Sequence, residues 1–383
     1  MSKPGDDALV SRRSVVMAGL TAAGWLAGRR LLGAATPSLW AEGPGGLVIR
    51  NARPLDAESP LESLSAYETP PGQFFVRSHF GPPLSLPATW TLTIDGDVSR
   101  PLTLTLADIR AMGGTSRVLT TECAGNGRGL FAMPKTSGVQ WQRGAVSTAA
   151  WTVVPLGEIL ERARPTESAA HFWMGAADRA ALPSVPPFLR SIPRATALDG
   201  AFVAYEMNGA SIPLLHGGPL RLLVSGWFGM ASTKWLTSIH ARRMESDNNF
   251  MAKGYRYADQ SPVTTMRVKS LVTSPTEGQR LRGASTVVRG QAWSGAGSGG
   301  IRSVDMSTDG GRSWQPARLV GPDVPGAWRS WEADMAHAAP GSYSVMSRAT
   351  DRQGAVQPMQ AIANPGGYGN NSIHEVRFDV SHG

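Results

Sequence analysis

The sequence contains very little cysteine. Cys123 is the one cysteine among 383 residues, so the chain cannot form an internal disulfide, a four-cysteine zinc site or an iron–sulfur cluster on its own cysteines. It also cannot carry a Cys-x-x-Cys-His haem motif. Three interpretations of Cys123 remain open: an inert buried thiol, a nucleophile, or a single thiolate bond to one metal.

Charged residues and long apolar runs are also scarce. Asp, Glu, Lys and Arg make up 17% of the chain and hydrophobic residues 42%, which is typical of a globular protein. The net charge is +8, but the basic residues form no dense run, so no nucleic-acid binding is predicted. An anionic substrate, an anionic cofactor or an acidic protein partner accounts for the charge. No apolar stretch reaches the ~20 residues that span a bilayer, so no stable membrane span is predicted.

Residues 1–42 resemble a twin-arginine export signal. Arg12 and Arg13 precede a modest apolar run over residues 15–27, and small residues follow before Pro37. This interpretation predicts export to the periplasm in the folded state; a membrane anchor or a chance basic N-terminus is the alternative. A periplasmic protein with one cysteine has a fold that does not rely on disulfides.

Residues 43–262 show a mixed pattern of short strands and helices, in a chain where glycine (44) and proline (28) favour turns. Strands are predicted from alternating or continuous apolar residues and helices from apolar residues three and four apart. The predicted strands are 89–94, 102–106, 117–122 and 220–224, the predicted helices are 106–112 and 155–163, residues 47–51 are expected to be extended, and residues 54–60 are expected to form a loop.

Residues 263–383 have a different texture. Short strand-like runs recur between strong turns, and they predict an antiparallel immunoglobulin-like β-sandwich without a cysteine pair. The fold class is therefore α+β, with a mixed domain over 43–262 followed by an all-β domain over 263–383. The predicted strands are 269–273, 285–293, 301–307, 313–319, 328–333, 342–349 and 376–380.

The segment around the cysteine carries chemistry. Residues 122–128 read Glu-Cys-Ala-Gly-Asn-Gly-Arg, and the small residues after Cys123 would let a bulky cofactor approach the backbone. Arg128 would favour the thiolate and attract an anion. This segment resembles the molybdenum-binding cysteine motif of the sulfite oxidase family, whose members hold molybdenum on a pterin dithiolene and one protein cysteine.

Further blocks resemble the same family in the same order, so that the resemblance covers residues 47–380. They are 74–79 (Phe-Phe-Val-Arg-Ser-His), 139–151 with Trp141, 205–209 (Tyr-Glu-Met-Asn-Gly) followed by 216–221 (His-Gly-Gly-Pro-Leu-Arg) and 234–236 (Lys-Trp-Leu), and 250–256 with Tyr255.

The resemblance implies a molybdenum–molybdopterin cofactor with Cys123 as its metal ligand. Basic groups that converge on a phosphate, and a planar guanidinium that grips an oxyanion, suit this chemistry. It further implies catalytic roles for Arg77, Arg128, Trp141 as an aromatic wall of the pocket, and Tyr255, with Tyr257 as the competing tyrosine. The implied cofactor-binding residues are Phe75, Arg77, His79, Cys123, Asp178, His216, Arg221, Ser232, Thr233 and Lys234.

The function implied by the resemblance is periplasmic oxidation of sulfite or a related sulfur compound by oxygen-atom transfer. Electrons would pass to a c-type cytochrome or haem subunit, and the C-terminal domain would form a homodimer. Animal members place a further substrate arginine near the chain's end, but residues 364–371 contain no arginine. The alternatives are therefore a sulfane dehydrogenase subunit acting on carrier-bound sulfur, and a reductase of sulfoxides or other oxyanions.

Two hypotheses come from other classes of protein. One is a thiol enzyme that uses Cys123 as nucleophile with His79 or His216 as base. The other is a non-enzymatic binding protein that carries an immunoglobulin-like module. A metal assay separates the first of these from a molybdenum enzyme.

Overall fold

The computed structural model describes residues 46–131 and 135–381. The export signal predicted over residues 1–42 lies outside the described residues and stays a prediction. The described chain from Gly46 onward belongs to one compact unit, so contacts between its N-terminal and C-terminal parts can be compared directly.

The N-terminal part combines short strands with four short α-helices. The strands are β1 (Val48–Ala52), β2 (Leu55–Glu58), β3 (Thr91–Gly96), β4 (Leu102–Thr105), β5 (Thr115–Glu122), β6 (Val146–Pro155), β7 (His171–Ala176), β8 (Arg190–Pro193), β9 (Ala201–Met207), β10 (Ala210–Ser211), β11 (Arg221–Val224) and β12 (Leu236–Arg242). The helices are α1 (Leu106–Ala111), α2 (Leu156–Ala163), α3 (Arg194–Asp199) and α4 (Asn249–Ala252).

Two five-stranded sheets organise this part. One has the order β10-β9-β6-β5, with β11 paired to β9, and the other has the order β4-β3-β12-β7-β8. Strands β12 and β3 run parallel, whereas β12 and β7 run antiparallel. The first sheet delivers the chain into the Cys123 segment, because β5 ends at Glu122.

Local sequence explains the helices. Helix α1 begins with a capping box in which the Thr105 side chain and Asp108 satisfy each other's backbone N–H groups. Helix α2 buries Leu156, Ile159 and Leu160, which lie three and four residues apart. Each such side chain contributes roughly 1.5–3 kcal/mol by leaving water. These residues join the largest core cluster, which packs α2 on the two sheets.

One expectation about the N-terminal part is wrong. Residues 54–60 contain β2, which pairs antiparallel with β1, rather than a simple loop. Asp56 and Glu58 of β2 are buried although they are acidic. They are stabilised there by ion pairs with Arg77 and Arg50, respectively, so the polar residues conceal the strand from a pattern that looks for apolar ones.

The C-terminal part is all β, as predicted, and an α+β fold is confirmed. Its strands are β13 (Lys269–Ser274), β14 (Arg280–Arg282), β15 (Ser285–Trp293), β16 (Ile301–Ser307), β17 (Gln315–Val320), β18 (Arg329–Ala336), β19 (Gly341–Asp351) and β20 (His374–Ser381). They are arranged β13-β15-β18-β17-β16-β19-β20-β14, and β17 pairs with β18 on one side and β16 on the other. The core between them contains Trp331 and Phe378.

Seven of these strands coincide with the predicted ones, and β14 was not expected. Over the described ranges, no helix has both the length and the apolar character needed to cross a bilayer.

Candidate active site

One cleft gathers most of the predicted site residues. Its empty volume is about 750 Å³, including the part open to solvent, which lies within the size range of cofactor and ligand pockets. The predicted residues in its lining are Phe75, Arg77, His79, Cys123, Asp178, His216, Arg221, Ser232, Thr233, Lys234 and Tyr255.

The cysteine segment enters the cleft directly from β5. The Cys123 backbone N–H donates to Ala145 O over 2.9 Å, and Asn126 N–H donates to Cys123 O over 2.9 Å. Cys123 itself is a free thiol, 8% exposed. Burial raises the pKa of the thiol, while the positive charges of Arg77 and Arg128 act in the opposite direction. A bound metal would therefore be needed to hold Cys123 as a thiolate at neutral pH.

Arg128 lies behind the cysteine segment and not in the cleft lining. Its Nε donates to Gly366 O and its Nη1 to Val139 O, each over 3.1 Å. A Cβ on Gly125 would lie 2.8 Å from this guanidinium. The small residue at 125 therefore makes room for Arg128, contrary to the expectation that it makes room for a cofactor, and Ala124 alone of the small residues lines the cleft.

Trp141 also lies outside the lining. It is completely buried in a core cluster with Phe74 and Trp151, so it does not form the aromatic wall that the sequence predicted. That wall is provided instead by Phe188, whose ring stacks on His79 with centroids 4.2 Å apart. Phe188 follows a proline-rich stretch with no resemblance motif, so the sequence offered no signal for it.

One end of the cleft, the thiol end, comprises Arg77, His79, Cys123, Phe188 and Tyr255. Tyr255 Oη and His79 Nε2 lie 3.0 Å apart in a hydrogen bond. Burial, aided by nearby positive charges including Arg77, lowers the pKa of His79 well below its usual value. Burial raises the pKa of Tyr255 to about 12. At neutral pH the histidine is thus uncharged and the tyrosine keeps its proton.

Arg77 is held in place by a buried carboxylate that the sequence analysis missed. Its Nη1 donates to Asp56 Oδ1 over 3.2 Å and also to Ser78 O. Desolvation raises the pKa of Asp56, although Arg77 opposes this effect. Tyr257, the competing tyrosine, lies against Arg267 with the guanidinium 5.2 Å from its ring centroid and does not line the cleft.

The other end, the cation end, comprises His216, Arg221, Ser232, Thr233 and Lys234. Lys234 Nζ donates to Leu215 O over 2.9 Å, and Arg221 Nη1 donates to His216 O over 2.7 Å. Burial lowers the pKa of Lys234 to about 7 and that of Arg221 to about 9. Burial also lowers the pKa of His216 to about 3. Two buried bases therefore face the same space, and the Asp178 carboxylate offsets part of the effect of burial at Lys234 but not at Arg221.

The chain bends sharply to bring this end together. Gly217 has a left-handed backbone (φ +100°), and a Cβ there would lie 2.7 Å from Lys234 Cβ. The two segments 216–221 and 232–234 consequently lie side by side, with Leu222 N–H donating to Thr233 O over 2.8 Å. Asp178, also buried in the lining, has its pKa raised to about 6 by burial.

The side chains fit an anionic, phosphate-bearing cofactor. Arg221 Nε and Thr233 Oγ1 are buried without a hydrogen-bond partner among the described residues, and an incoming phosphate would satisfy both. No group of three or more His, Cys, Asp or Glu side chains capable of holding a metal occurs within residues 46–131 and 135–381. A metal at Cys123 would accordingly need ligands from a cofactor.

Residues 364–371, which contain no arginine, pack against the thiol end. Tyr368 stacks on Tyr255 with centroids 5.2 Å apart, and Gly369 N–H donates to Ala124 O over 2.8 Å. A different arginine, Arg190, places its guanidinium 5.3 Å from the Tyr255 ring centroid. Burial lowers its pKa to about 10, so it adds a positive charge behind the tyrosine.

Comparison with known proteins gives a consistent result. The descriptions "Oxidoreductase molybdopterin binding domain" and "Mo-co oxidoreductase dimerisation domain" match residues 79–250 and 260–381. Sulfite oxidase of Gallus gallus is 33% identical over 338 residues, covering 82% of this chain and 73% of that protein. Mitochondrial sulfite oxidase of Homo sapiens is 33% identical over 362 residues, covering 88% of this chain and 66% of that protein.

A solved structure is also similar over most of its length. The sulfane dehydrogenase SoxCD from Paracoccus pantotrophus superposes with a TM-score of 0.72 at 28% identity, covering 85% of this chain and 84% of that one. The chain thus matches nearly the whole of this neighbour, whereas it spans 66% to 73% of the vertebrate relatives.

Proposed function

Because this chain belongs to the sulfite oxidase family of molybdopterin oxidoreductases, we propose that its cleft oxidises sulfite or a closely related sulfur compound. The cofactor of such an enzyme is molybdenum bound to molybdopterin. The observation that carries the proposal is that the cleft combines one buried thiol with a cluster of buried, incompletely paired cations.

We assign cofactor binding to the cation end. Arg221 and Lys234 would neutralise the phosphate of the cofactor, and Thr233 would donate its hydroxyl. Their low pKa values reflect burial, which the charge of Asp178 offsets only in part at Lys234, and a bound phosphate would raise these values again. Asp178 and His216 line the same space and would orient the pterin by hydrogen bonds.

We assign metal binding to Cys123 at the thiol end. When bound, the cofactor supplies the two-electron redox chemistry and the oxygen-atom transfer. The chain's own contribution is to hold the Cys123 backbone by its hydrogen bond to Ala145 O and to line the surrounding space with Phe75, Phe188 and Tyr255. These rings exclude water and strengthen the electrostatic interactions inside the cleft.

Substrate binding at the thiol end would depend on Arg77. Asp56 fixes its guanidinium, which leaves the remaining N–H groups free to grip an oxyanion. Tyr255 keeps its proton, so with the His79 proton on Nε2 and donated to Tyr255 Oη, the tyrosine hydroxyl is left to donate a hydrogen bond to an oxygen of the substrate. Arg128 and Trp141 would act indirectly, by supporting the cysteine segment from behind.

We further propose that electrons leave to a separate c-type cytochrome or haem subunit and that the enzyme works in the periplasm as a homodimer. One cysteine cannot anchor a c-type haem in this chain. The twin arginines at residues 12 and 13 support export. The match of residues 260–381 to a dimerisation domain supports the dimer.

A second candidate substrate is sulfane sulfur held on a carrier. Residues 364–371 contain no arginine, so this segment adds no positive charge at the thiol end for a small free dianion. The similarity to a sulfane dehydrogenase over 85% of the chain favours the same alternative.

The test is metal analysis of protein exported by its native host, followed by assays of sulfite and thiosulfate with oxidised cytochrome c. We expect stoichiometric molybdenum and reduction of the cytochrome by sulfite. In Cys123→Ser we expect turnover to disappear while the circular dichroism spectrum is unchanged. Folded wild-type protein without molybdenum, made in a host with a working cofactor pathway, would contradict the proposal. Thiosulfate turnover without sulfite turnover would favour the second candidate.

A further inference from the structure

The carboxylate next to the cysteine is held from the C-terminal part of the chain. Glu122 directly precedes Cys123, and its side chain is only 3% exposed. Glu122 Oε1 accepts from Lys269 Nζ and from Asn126 Nδ2, each over 2.9 Å. Glu122 Oε2 accepts from Trp293 Nε1, also over 2.9 Å. Two of these three donors belong to β13 and β15 of the all-β part.

This arrangement fixes both oxygens of one buried carboxylate. The Lys269 side chain is 1% exposed, and its ammonium lies 5.8 Å from the Trp293 ring centroid. Removing a buried ion from water is costly, so the carboxylate is stable only in the geometry that keeps all its donors. A displacement of Glu122 would break these bonds, and the adjoining Cys123 backbone is restrained in the same way.

The other end of the cysteine segment is held by the C-terminal part as well. Gly369 N–H donates to Ala124 O over 2.8 Å, and Asn370 Nδ2 donates to Gly127 O over 3.0 Å. Gly127 is left-handed (φ +86°), and a Cβ there would lie 2.8 Å from Asn370 Cβ. The segment 122–127 is therefore restrained on both sides of the thiol by residues beyond 260.

We infer that Lys269 and Trp293 are positioning residues, which aim the Cys123 thiol through Glu122. The β-structure that matches a dimerisation domain would thus also set the direction of the metal–sulfur bond. This inference rests on the proposed function in so far as Cys123 binds a metal. The positioning of the thiol itself does not depend on the metal and can be measured separately.

The sharpest test is Trp293→Phe compared with Trp331→Phe. Both tryptophans are 1% exposed and both lie in the C-terminal β-structure. Trp331 Nε1, unlike Trp293 Nε1, has no hydrogen-bond partner in the described part of the chain. The two variants therefore remove the same atoms from equally buried rings, and only the first removes the donor to Glu122 Oε2.

On the molybdenum-loaded enzyme, we expect Trp293→Phe to retain the metal but to change the g-values of the Mo(V) electron paramagnetic resonance spectrum. We expect kcat to fall by about tenfold to a hundredfold, as for other residues that orient a metal ligand, with KM for sulfite little changed. Trp331→Phe should keep the wild-type spectrum and kcat. Identical spectra and kcat in both variants would overturn the inference.

A second arm uses the full chain made without cofactor, in which alkylation by iodoacetamide reports on Cys123 alone because no other cysteine exists. We expect faster alkylation in Trp293→Phe than in Trp331→Phe. The double variant Glu122→Gln with Lys269→Met removes both buried charges together, which avoids the unfolding expected from one unpaired ion, and it should also react faster. Equal rates in all of these would overturn the inference. If the wild type holds no molybdenum, the proposed function fails, and this arm alone decides the positioning role.

Discussion

The two ends of the cleft carry positive charge in different ways. At the thiol end, Arg77 forms an ion pair with Asp56, so its charge is already compensated by the protein. At the cation end, Arg221 and Lys234 hydrogen-bond to carbonyl oxygens, and Arg221 Nε has no partner among the described residues. The difference indicates that the cation end binds an anion permanently, whereas the thiol end binds an anion reversibly.

The largest effect is expected from removing a cation at the end that needs a permanent anion. The molybdopterin content per chain should fall by more than about tenfold in Arg221→Leu, because charge-assisted hydrogen bonds to a buried phosphate contribute about 1.5–3 kcal/mol each. The measurement is pterin and molybdenum per chain in purified protein. Retention of cofactor at the wild-type level would contradict the inference that the cation end binds a permanent anion.

Arg143→Leu provides the matched control for this variant. Arg143 also has its pKa lowered to about 10 by burial, but it donates to Ser372 O and Ile373 O, away from the cleft. We expect it to keep its cofactor even if its melting temperature falls.

A smaller effect is expected at the thiol end. Asp56→Asn keeps the shape of the side chain but removes the charge that holds Arg77. We expect KM for sulfite to change by about threefold to tenfold, which corresponds to the ~1 kcal/mol typical of one hydrogen bond, with kcat nearly constant. Steady-state assays at two ionic strengths measure this. A fall in kcat at constant KM would instead indicate that Arg77 acts on the cofactor. The control is Glu206→Gln, which removes the carboxylate partner of the exposed Arg110.

A further effect, on folding stability and not on activity, is expected in acid. Burial lowers the pKa of His374 to about 3, below the unfolded value of ~6.5. The unfolded chain therefore binds the extra proton first, and stability is lost as pH falls from about 6.5 towards 3. Between pH 7 and pH 5 the loss is about 2 kcal/mol.

Urea unfolding of the cofactor-free chain at pH 7 and pH 5 measures this loss, which we expect to shrink in His374→Gln. His216 at the cation end has its pKa lowered to about 3 for the same reason, and a bound phosphate should raise that pKa. The loaded enzyme should consequently lose less stability in acid than the cofactor-free chain, and an equal loss would contradict the assignment of the cation end.

The sequence predicted the C-terminal strands well because apolar alternation and glycine turns mark them directly. It missed β14, where Arg280-Leu281-Arg282 gives only one apolar residue. It missed β2 because two of its four residues are acids that are buried through ion pairs. These pairs join residues 8 and 21 positions apart and leave no periodic signal.

The site residues were likewise predicted where the sequence carries a local pattern and missed where distant segments meet. Motif residues that line the cleft were found because their order and spacing resemble a family pattern. Arg128 and Trp141 belong to the same motifs, but sequence does not say which side of a loop a side chain takes, and packing directs both away from the cleft. Phe188 and Asp56 were missed because their roles arise only when distant segments meet.

The hydrogen bonds that restrain the cysteine segment also have a consequence in time. The Glu122–Lys269 bond spans 147 positions, and the Asn370–Gly127 bond spans 243. During synthesis, the cysteine segment is therefore made long before either partner, Lys269 or Asn370, is available to bind it. The thiol therefore acquires its final surroundings only after Asn370 has been synthesised, long after Cys123 itself.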